Sequence, residues 1–162
     1  MTAKRRCGSR GFTLVEAMVV LTVLGILLAT AIPGFRGSNE RRRTEGAAQE
    51  LSSRLQLARH RAVATRCPIR LIVDEEERAY QFERMVNDST WATDPAESYH
   101  VPDRVGWAVE TADGGGIVTF ESRGTVQQQE APLRVHFWSA AGDSFVVSLV
   151  RTGRVSVRGE GS

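Results

Sequence analysis

The sequence predicts an α+β protein in which a long N-terminal helical region precedes a set of antiparallel strands. Three observations support this class. An almost uncharged apolar run covers Phe12 to Phe35, an amphipathic pattern follows from Thr44 to Thr65, and apolar residues alternate with polar ones beyond Pro68. Apolar spacings of three and four indicate a helix, whereas alternation indicates a strand. Helices followed by strands, rather than interleaved with them, are typical of the α+β class.

The apolar run carries a single formal charge, Glu16, between Phe12 and Phe35. A helix over this run is roughly 36 Å long at about 1.5 Å per residue. That length crosses a hydrocarbon layer of about 30 Å. A carboxylate inside such a helix costs about 2.5–3.5 kcal/mol on insertion scales, so we expect Glu16 to have a positively charged partner.

The start of the run, Gly-Phe-Thr-Leu-Val-Glu from Gly11 to Glu16, follows a short basic leader. It resembles the cleavage and methylation signature of type IV pilins and pseudopilins. The resemblance implies that prepilin peptidase cuts between Gly11 and Phe12 and that the new Phe12 amine is N-methylated. Glu16 then becomes the fifth mature residue, whose carboxylate in this family pairs with the positive N-terminus of a subunit during assembly. Pro33 matches the helix-bending proline of many pilins.

This resemblance divides the chain into a prepilin leader at 1–11, a transmembrane or filament-core helix at 12–35 and a periplasmic head at 36–162. An ordinary secretory signal peptide is one alternative, with Ala29-Thr30-Ala31 as its cleavage site, and a plain single-span anchor is another. The charge of Glu16 and the length of the apolar run argue against a signal peptide, whose apolar region is usually about 7–15 residues long.

Charge and cysteine content argue against a globally basic nucleic-acid-binding protein and against a protein stabilised by internal disulfides. The net charge is +2, but residues 1–11 hold four of the 21 basic residues and none of the 19 acidic ones, so the mature chain would carry −2. This balance argues against a globally basic nucleic-acid-binding surface. Cys7 would leave with the leader, so that Cys67 has no partner for an internal disulfide. We expect Cys67 to be buried.

The amphipathic segment is predicted as a helix at about 44–65 that packs on the sheet through an apolar stripe. The stripe comprises Leu51, Leu55, Ala58 and Ala62 with the adjacent Leu57 and Val63. The polar residues from Gly37 to Arg41 are interpreted as either a continuation of the first helix or a hinge. The run from Glu50 to Val63 resembles the helix of the GspH/FimT class, which comprises H-type minor pseudopilins and related minor pilins. Two later patterns resemble the same class: Phe120-x-x-x-Gly124 and Gly153-Arg154-Val155.

The part of the chain after Pro68 predicts an antiparallel β-sheet head, so that the whole resembles a pilin-like fold. Asp74 to Glu77 is predicted as the turn of a first hairpin. Asn87 to Arg104 shows no clear period and contains two prolines, and we predict a long surface loop there. Strands are predicted at 69–73, 80–83, 105–109, 117–120, 133–137, 145–149 and 155–157.

We find no catalytic constellation, and we predict neither enzymatic activity nor a cofactor nor a metal site. His60, His100 and His136 are scattered without the spacing of a metal motif. The acidic run from Asp74 to Glu77 lacks the spaced ligands and the glycine of a calcium loop. We interpret it as a solvated hairpin tip.

One candidate contact site lies near the C-terminus. If residues 153–158 form a strand, Arg154, Ser156 and Arg158 face one way, with Arg151 nearby in sequence. Arginines on one exposed face are suited to phosphates. Some FimT-type minor pilins bind DNA through a Gly-Arg-x-Arg motif, but here Ser156 stands where that motif has its second arginine. The alternative is an ordinary edge strand, charged to discourage pairing with other edges.

The resemblance implies a minor pseudopilin of a type II secretion system, held in the bacterial inner membrane with a periplasmic head and assembling at or near the tip of a periplasmic filament. Its implied partners are prepilin peptidase, other pseudopilins or pilins, the inner-membrane assembly platform and membrane lipid. The alternative is a minor pilin of a type IV pilus or competence system, with DNA as a further partner. A third hypothesis, a signal-anchored envelope enzyme, has no active site in this sequence to support it.

Overall fold

The computed structural model describes residues 13–87, 90–111, 114–127 and 132–160, except for the side chains of 29–37 and 94–96. The chain divides into two compact units, Met1–Ser38 and Asn39–Ser162. The predicted leader, the junction of Gly11 with Phe12, and Cys7 lie outside the described residues.

One α-helix, α1, runs over Leu14–Thr65. Residues 37–41, for which the sequence allowed either a continuation of the first helix or a hinge, are part of this helix. Pro33 also lies within it. Arg66, the residue after the helix, has a left-handed φ of 54°, a common way for a helix to end, and Pro68 prevents its continuation. No helix among the described residues is both long and apolar enough to span a membrane.

After the helix, the described residues form eight antiparallel strands in two four-stranded sheets. The first sheet has the order β3-β2-β1-β5 and the second has the order β4-β6-β7-β8. The strands are β1 (Ile69–Asp74), β2 (Ala79–Asn87), β3 (Thr90–His100), β4 (Gly106–Glu110), β5 (Ile117–Phe120), β6 (Leu133–Trp138), β7 (Ser144–Leu149) and β8 (Val155–Glu160).

The prediction of a long loop at 87–104 is wrong, because most of it forms β3 at the edge of the first sheet. Between Gln81 and Glu83 of β2, the paired residue moves from Ser98 to Thr93, so β3 bulges there. A bulge resets the alternation of inward and outward side chains. An edge position also tolerates proline such as Pro95. Both features hide the period-two pattern from sequence inspection.

The hydrophobic core of the head joins one face of α1 to the inner faces of both sheets. The predicted helix face is confirmed for four of its six residues, Leu51, Leu55, Ala58 and Ala62, which are buried together with Ala48. The prediction is wrong for Leu57 and Val63, which flank this face and are 41% and 47% exposed. The buried residues recur at three and four positions, which is the spacing of one helix face.

The outer face of the first sheet carries a half-buried ion pair between Arg70 and Glu83. Their side chains are 2.6 Å apart at the nearest nitrogen and oxygen. The Thr93 hydroxyl donates a hydrogen bond of 2.7 Å to Glu83, and the Arg70 guanidinium lies 4.3 Å from the centre of the Trp91 ring. Burial alone would raise the pKa of Glu83, but the hydrogen bonds from Thr93 and Arg70 and the charge of Arg70 together lower it.

This lowered pKa predicts that the head loses stability in acid. A carboxyl group whose pKa is lower in the folded state stabilises that state at neutral pH, and the contribution is lost as the pH falls below the ordinary value of 4.5 towards the folded value. We expect Glu83→Gln to reduce the dependence of the unfolding free energy on pH in this window, as measured by urea unfolding of residues 39–162. Glu76→Gln, at an exposed position, is the control and should leave the dependence unchanged. An unaltered pH profile in Glu83→Gln would contradict this assignment.

Candidate functional site

The first turn of α1 holds Glu16, the predicted assembly residue. The backbone N–H of Glu16 donates a hydrogen bond of 3.3 Å to the Thr13 hydroxyl oxygen. Threonine before the helix and glutamate three residues later form the sequence pattern of a capping box. A carboxylate in the first turn also interacts favourably with the positive end of the helix dipole. Glu16 is exposed, so its charge is accessible at the start of the helix.

The described side chains that follow Glu16 present apolar surface on every side of the helix. The large aliphatic residues between Leu14 and Leu28 are each at least 50% exposed. A helix that is apolar all round belongs in a protein core or a membrane rather than in water. These described side chains therefore favour apolar surroundings over water.

Two glycine turns of the head meet over α1. Their glycines belong to the two patterns that resemble the GspH/FimT class, Phe120-x-x-x-Gly124 and Gly153-Arg154-Val155. Gly124 and Gly153 have φ angles of 79° and 75°. The Arg59 side chain of α1 donates a hydrogen bond of 3.1 Å from Nε to the Gly124 carbonyl. A Cβ on Gly153 would fall far inside van der Waals distance of that same carbonyl. The glycines of the two patterns thus take part in one structural contact.

A basic groove crosses the outer face of the second sheet, with a volume of about 550 Å³. Arg134 and His136 of β6 lie on one side of it. Arg158 of β8 and Arg154, the residue just before β8, lie on the other. Strand β7 lies between them and contributes the smaller residues of the floor. Neighbouring strands are about 4.8 Å apart, so the two basic sides are separated by roughly 10 Å.

The register explains which side chains share this groove. Arg158 pairs with Val146, which pairs with His136, so the three lie in one row across the sheet. Ser156 pairs with Ser148, and Val157, which is exposed, pairs with the buried Val147. Arg154 and Arg158 are exposed. The predicted alternation along 153–158 agrees with this register, although β8 itself begins at Val155.

The structure brings together only part of the predicted arginine set. Arg154 and Arg158 line the groove, whereas Arg151 does not contribute to its lining. Arg134 was missed, because it is distant in sequence and reaches the groove only through the pairing of β6 with β7. The available signal was the alternation around Arg134 and His136 in strand β6, which turns both side chains away from the core.

The remaining candidates give no chemical centre. Among the described residues, no group of three or more histidine, cysteine, aspartate or glutamate side chains is placed to hold a metal ion. Cys67 is half-buried rather than fully buried as expected. His136 Nε2 lies 3.7 Å from a carboxylate oxygen of Glu110, which is too far for a hydrogen bond.

Two family models match the chain in succession. The prokaryotic N-terminal methylation motif matches residues 6–32, and the type II transport protein GspH matches residues 47–153. A comparison with curated protein sequences gives no match.

Solved structures share the fold. The minor pseudopilin EpsH from the type 2 secretion system of Vibrio cholerae aligns with a TM-score of 0.62 at 16% identity, covering 74% of this chain and 99% of that one. A second structure of EpsH aligns with a TM-score of 0.61 at 14% identity, covering 75% and 99%. The type IV minor pilin FimU of Pseudomonas aeruginosa aligns with a TM-score of 0.57 at 20% identity, covering 74% and 90%.

These matches confirm the pilin-like α+β fold and the expectation of a structural subunit rather than an enzyme. The methylation motif matches the apolar N-terminal segment, and the GspH model matches the head that follows it. The chain belongs to the GspH family of type II transport proteins, and it is a pilin-like subunit with an N-terminal methylation motif.

Proposed function

We propose that the protein is a minor pseudopilin of a type II secretion system, which prepilin peptidase cuts between Gly11 and Phe12 and which is then N-methylated at Phe12. The observation that carries this proposal is the succession of a methylation motif and a GspH domain in one chain. The mature protein is held in the inner membrane by residues 12–35, with its head in the periplasm, until it enters a filament.

The exposed aliphatic side chains between Leu14 and Leu28 support this assembly. In a membrane they contact lipid, and in a filament they contact the corresponding helices of neighbouring subunits. Moving from one apolar environment to the other does not expose them to water, so the transfer avoids the cost of hydrating them. Glu16 is the exception, and we propose that it pairs with a positive N-terminal amine of a subunit.

The proposed role is mechanical and organisational. The head contacts neighbouring subunits at or near the filament tip, where the protein helps to begin or cap the filament that moves folded proteins outward. Its proposed partners are prepilin peptidase, other pseudopilins, the inner-membrane assembly platform and membrane lipid.

The first experiment is to determine the mature N-terminus by mass spectrometry, in cells with and without prepilin peptidase. We expect a chain that begins at methylated Phe12 only when the peptidase is present. Gly11→Leu should leave the leader attached, whereas Ser9→Ala, two residues before the junction, should be cut normally. A terminus at Ile32, or an intact leader in cells with active peptidase, would refute the proposal.

A minor pilin of a type IV pilus or competence system is the second candidate. The fold it shares with FimU supports it, and the arginines of the basic groove would be its phosphate contacts. Deletion of the gene separates the two candidates. Loss of protein secretion supports the pseudopilin, whereas loss of DNA uptake or of pili with intact secretion supports the minor pilin.

A further inference from the structure

The basic groove is bounded by carboxylates. Glu110 pairs in register with Arg134 at one side, and Glu160 lies two residues beyond Arg158, on the same face of the edge strand β8. Duplex DNA carries a negative charge about every 1.7 Å along its axis, so a long polyphosphate crossing the groove would meet both carboxylates. A short segment with two or three carboxylates needs to span only the roughly 10 Å between the two basic sides. The charge pattern therefore favours a short acidic ligand.

The arginines of the groove are available for such a ligand. Arg134, Arg154 and Arg158 are exposed, and the ion pairs found among the described residues include none of the three. A guanidinium group binds a carboxylate through two parallel hydrogen bonds. The hydroxyl groups of Ser148 and Ser156 lie in the groove between the arginines and add uncharged donors for further carboxylate oxygens.

The same chain displays a short acidic segment at the turn between β1 and β2. This acidic tip comprises Asp74, Glu75, Glu76 and Glu77, all exposed. The Asp74 carboxylate accepts a hydrogen bond of 2.9 Å from the Glu77 N–H, and the Glu75 carboxylate accepts one of 2.9 Å from the Val109 N–H of β4. These two bonds fix the shape of the turn. They leave the carboxylates of Glu76 and Glu77 at the surface.

We propose that the basic groove of one copy of this protein binds the acidic tip of a second copy. The two surfaces belong to different sheets, so the contact joins two different patches, the tip of one copy and the groove of another. No ion pair among the described residues joins the tip to the groove within one chain. The complementary charges are therefore free to meet between copies.

This contact forms where copies are held close together. Exposed ion pairs are individually weak and are screened by salt, so dilute heads in solution associate poorly. Confinement to one membrane or filament raises the effective concentration and allows a weak contact to form. In this respect the inference rests on the proposed function, which places the copies in one membrane.

Disulfide crosslinking in membranes tests the contact on the full chain. Both native cysteines are removed by Cys7→Ser and Cys67→Ser, and two versions are coexpressed with different epitope tags. One carries Glu76→Cys in the acidic tip, and the other carries Ser156→Cys in the basic groove. After mild oxidation we expect a disulfide-linked pair of the two versions, at about fivefold the yield of pairs between identical versions. Absence of this mixed pair, when both versions are present in the membrane, overturns the proposal.

Charge reversal tests whether the arginines cause the contact. Arg154→Glu with Arg158→Glu, placed in the Ser156→Cys version, should lower the mixed pair about fivefold. Glu77→Arg in the other version should then restore part of it. Arg123→Glu is the matched control, because Arg123 is exposed and does not line the groove. A yield that is indifferent to all of these charges would also overturn the proposal.

Two measurements on the same preparations separate this inference from its rivals. Fluorescence anisotropy with a DNA duplex of about 20 base pairs tests nucleic acid as the occupant. Salt-sensitive binding that Arg154→Glu with Arg158→Glu abolishes, without a mixed crosslink, assigns the groove to DNA and overturns the contact between copies. Mass spectrometry of the N-terminus tests the proposed function: methylated Phe12 without a crosslink refutes only the contact, whereas an uncut chain refutes the function.

Discussion

Replacing Gly153 with alanine is expected to destabilise the head by roughly 2–5 kcal/mol. A left-handed backbone, here with a φ of 75°, costs a residue with a Cβ about 1–2 kcal/mol. The new Cβ would also overlap the Gly124 carbonyl oxygen, and forced repacking of this kind adds about 1–3 kcal/mol. Urea unfolding of residues 39–162 measures the loss. Because the Gly124 carbonyl also accepts the hydrogen bond from Arg59, displacing it weakens the attachment of this turn to α1.

Gly114→Ala is the matched control for this substitution. Gly114 has a similar φ of 71°, but a Cβ there would meet nothing within 4 Å. It should therefore show only the backbone cost of about 1–2 kcal/mol. Equal losses in the two variants would contradict the close approach of the two glycine turns.

The second large effect is expected from Glu16→Gln, which should lower incorporation into the filament by about tenfold or more while the protein still reaches the membrane. Glutamine keeps the size and polarity of the side chain but cannot pair with a positive amine. An unpaired charge at the centre of a membrane helix costs about 2.5–3.5 kcal/mol, and the proposed pairing with the amine would remove a cost of this kind on assembly. Incorporation is measured by the amount of tagged subunit in sheared filaments, relative to the amount in membranes.

Thr13→Ala separates this role of Glu16 from helix capping. The substitution removes the hydroxyl that accepts the Glu16 N–H but leaves the carboxylate in place. If charge pairing drives assembly, Thr13→Ala should assemble far better than Glu16→Gln once both are shown to be cut and methylated. The reverse order would indicate that Glu16 acts mainly in the capping of α1.

Local pattern predicted the elements whose environment repeats along the chain. The buried positions Leu51, Leu55 and Ala58 of α1 were identified correctly because a helix face on a core repeats at three and four residues. The hairpin around Asp74 to Glu77 was also predicted correctly, since its strands alternate and its turn is polar. Strand β3 was missed because its bulge interrupts the alternation and its edge position admits proline.

The basic groove shows the limit of local pattern most clearly. Arg154 and Arg158 were placed on one face from spacing alone, and the register of β8 agrees. Arg134 belongs beside them only because β6 and β8 flank the same strand, β7. Arg151, although closer in sequence, does not line the groove. The order of strands in a sheet depends on the packing of the whole core, so it cannot be predicted from the sequence of one strand.

By itself, the sequence determined that this protein has an apolar N-terminal segment with one carboxylate, an amphipathic helix and a β-rich head, because each of these follows from spacing along a single element. Only the tertiary structure decided the division into two sheets, the meeting of Gly124 with Gly153 over Arg59, and the composition of the basic groove. These features join residues that are far apart in the chain. Their positions depend on how the strands pair and pack, a choice made by the free energy of the whole head rather than by any local pattern.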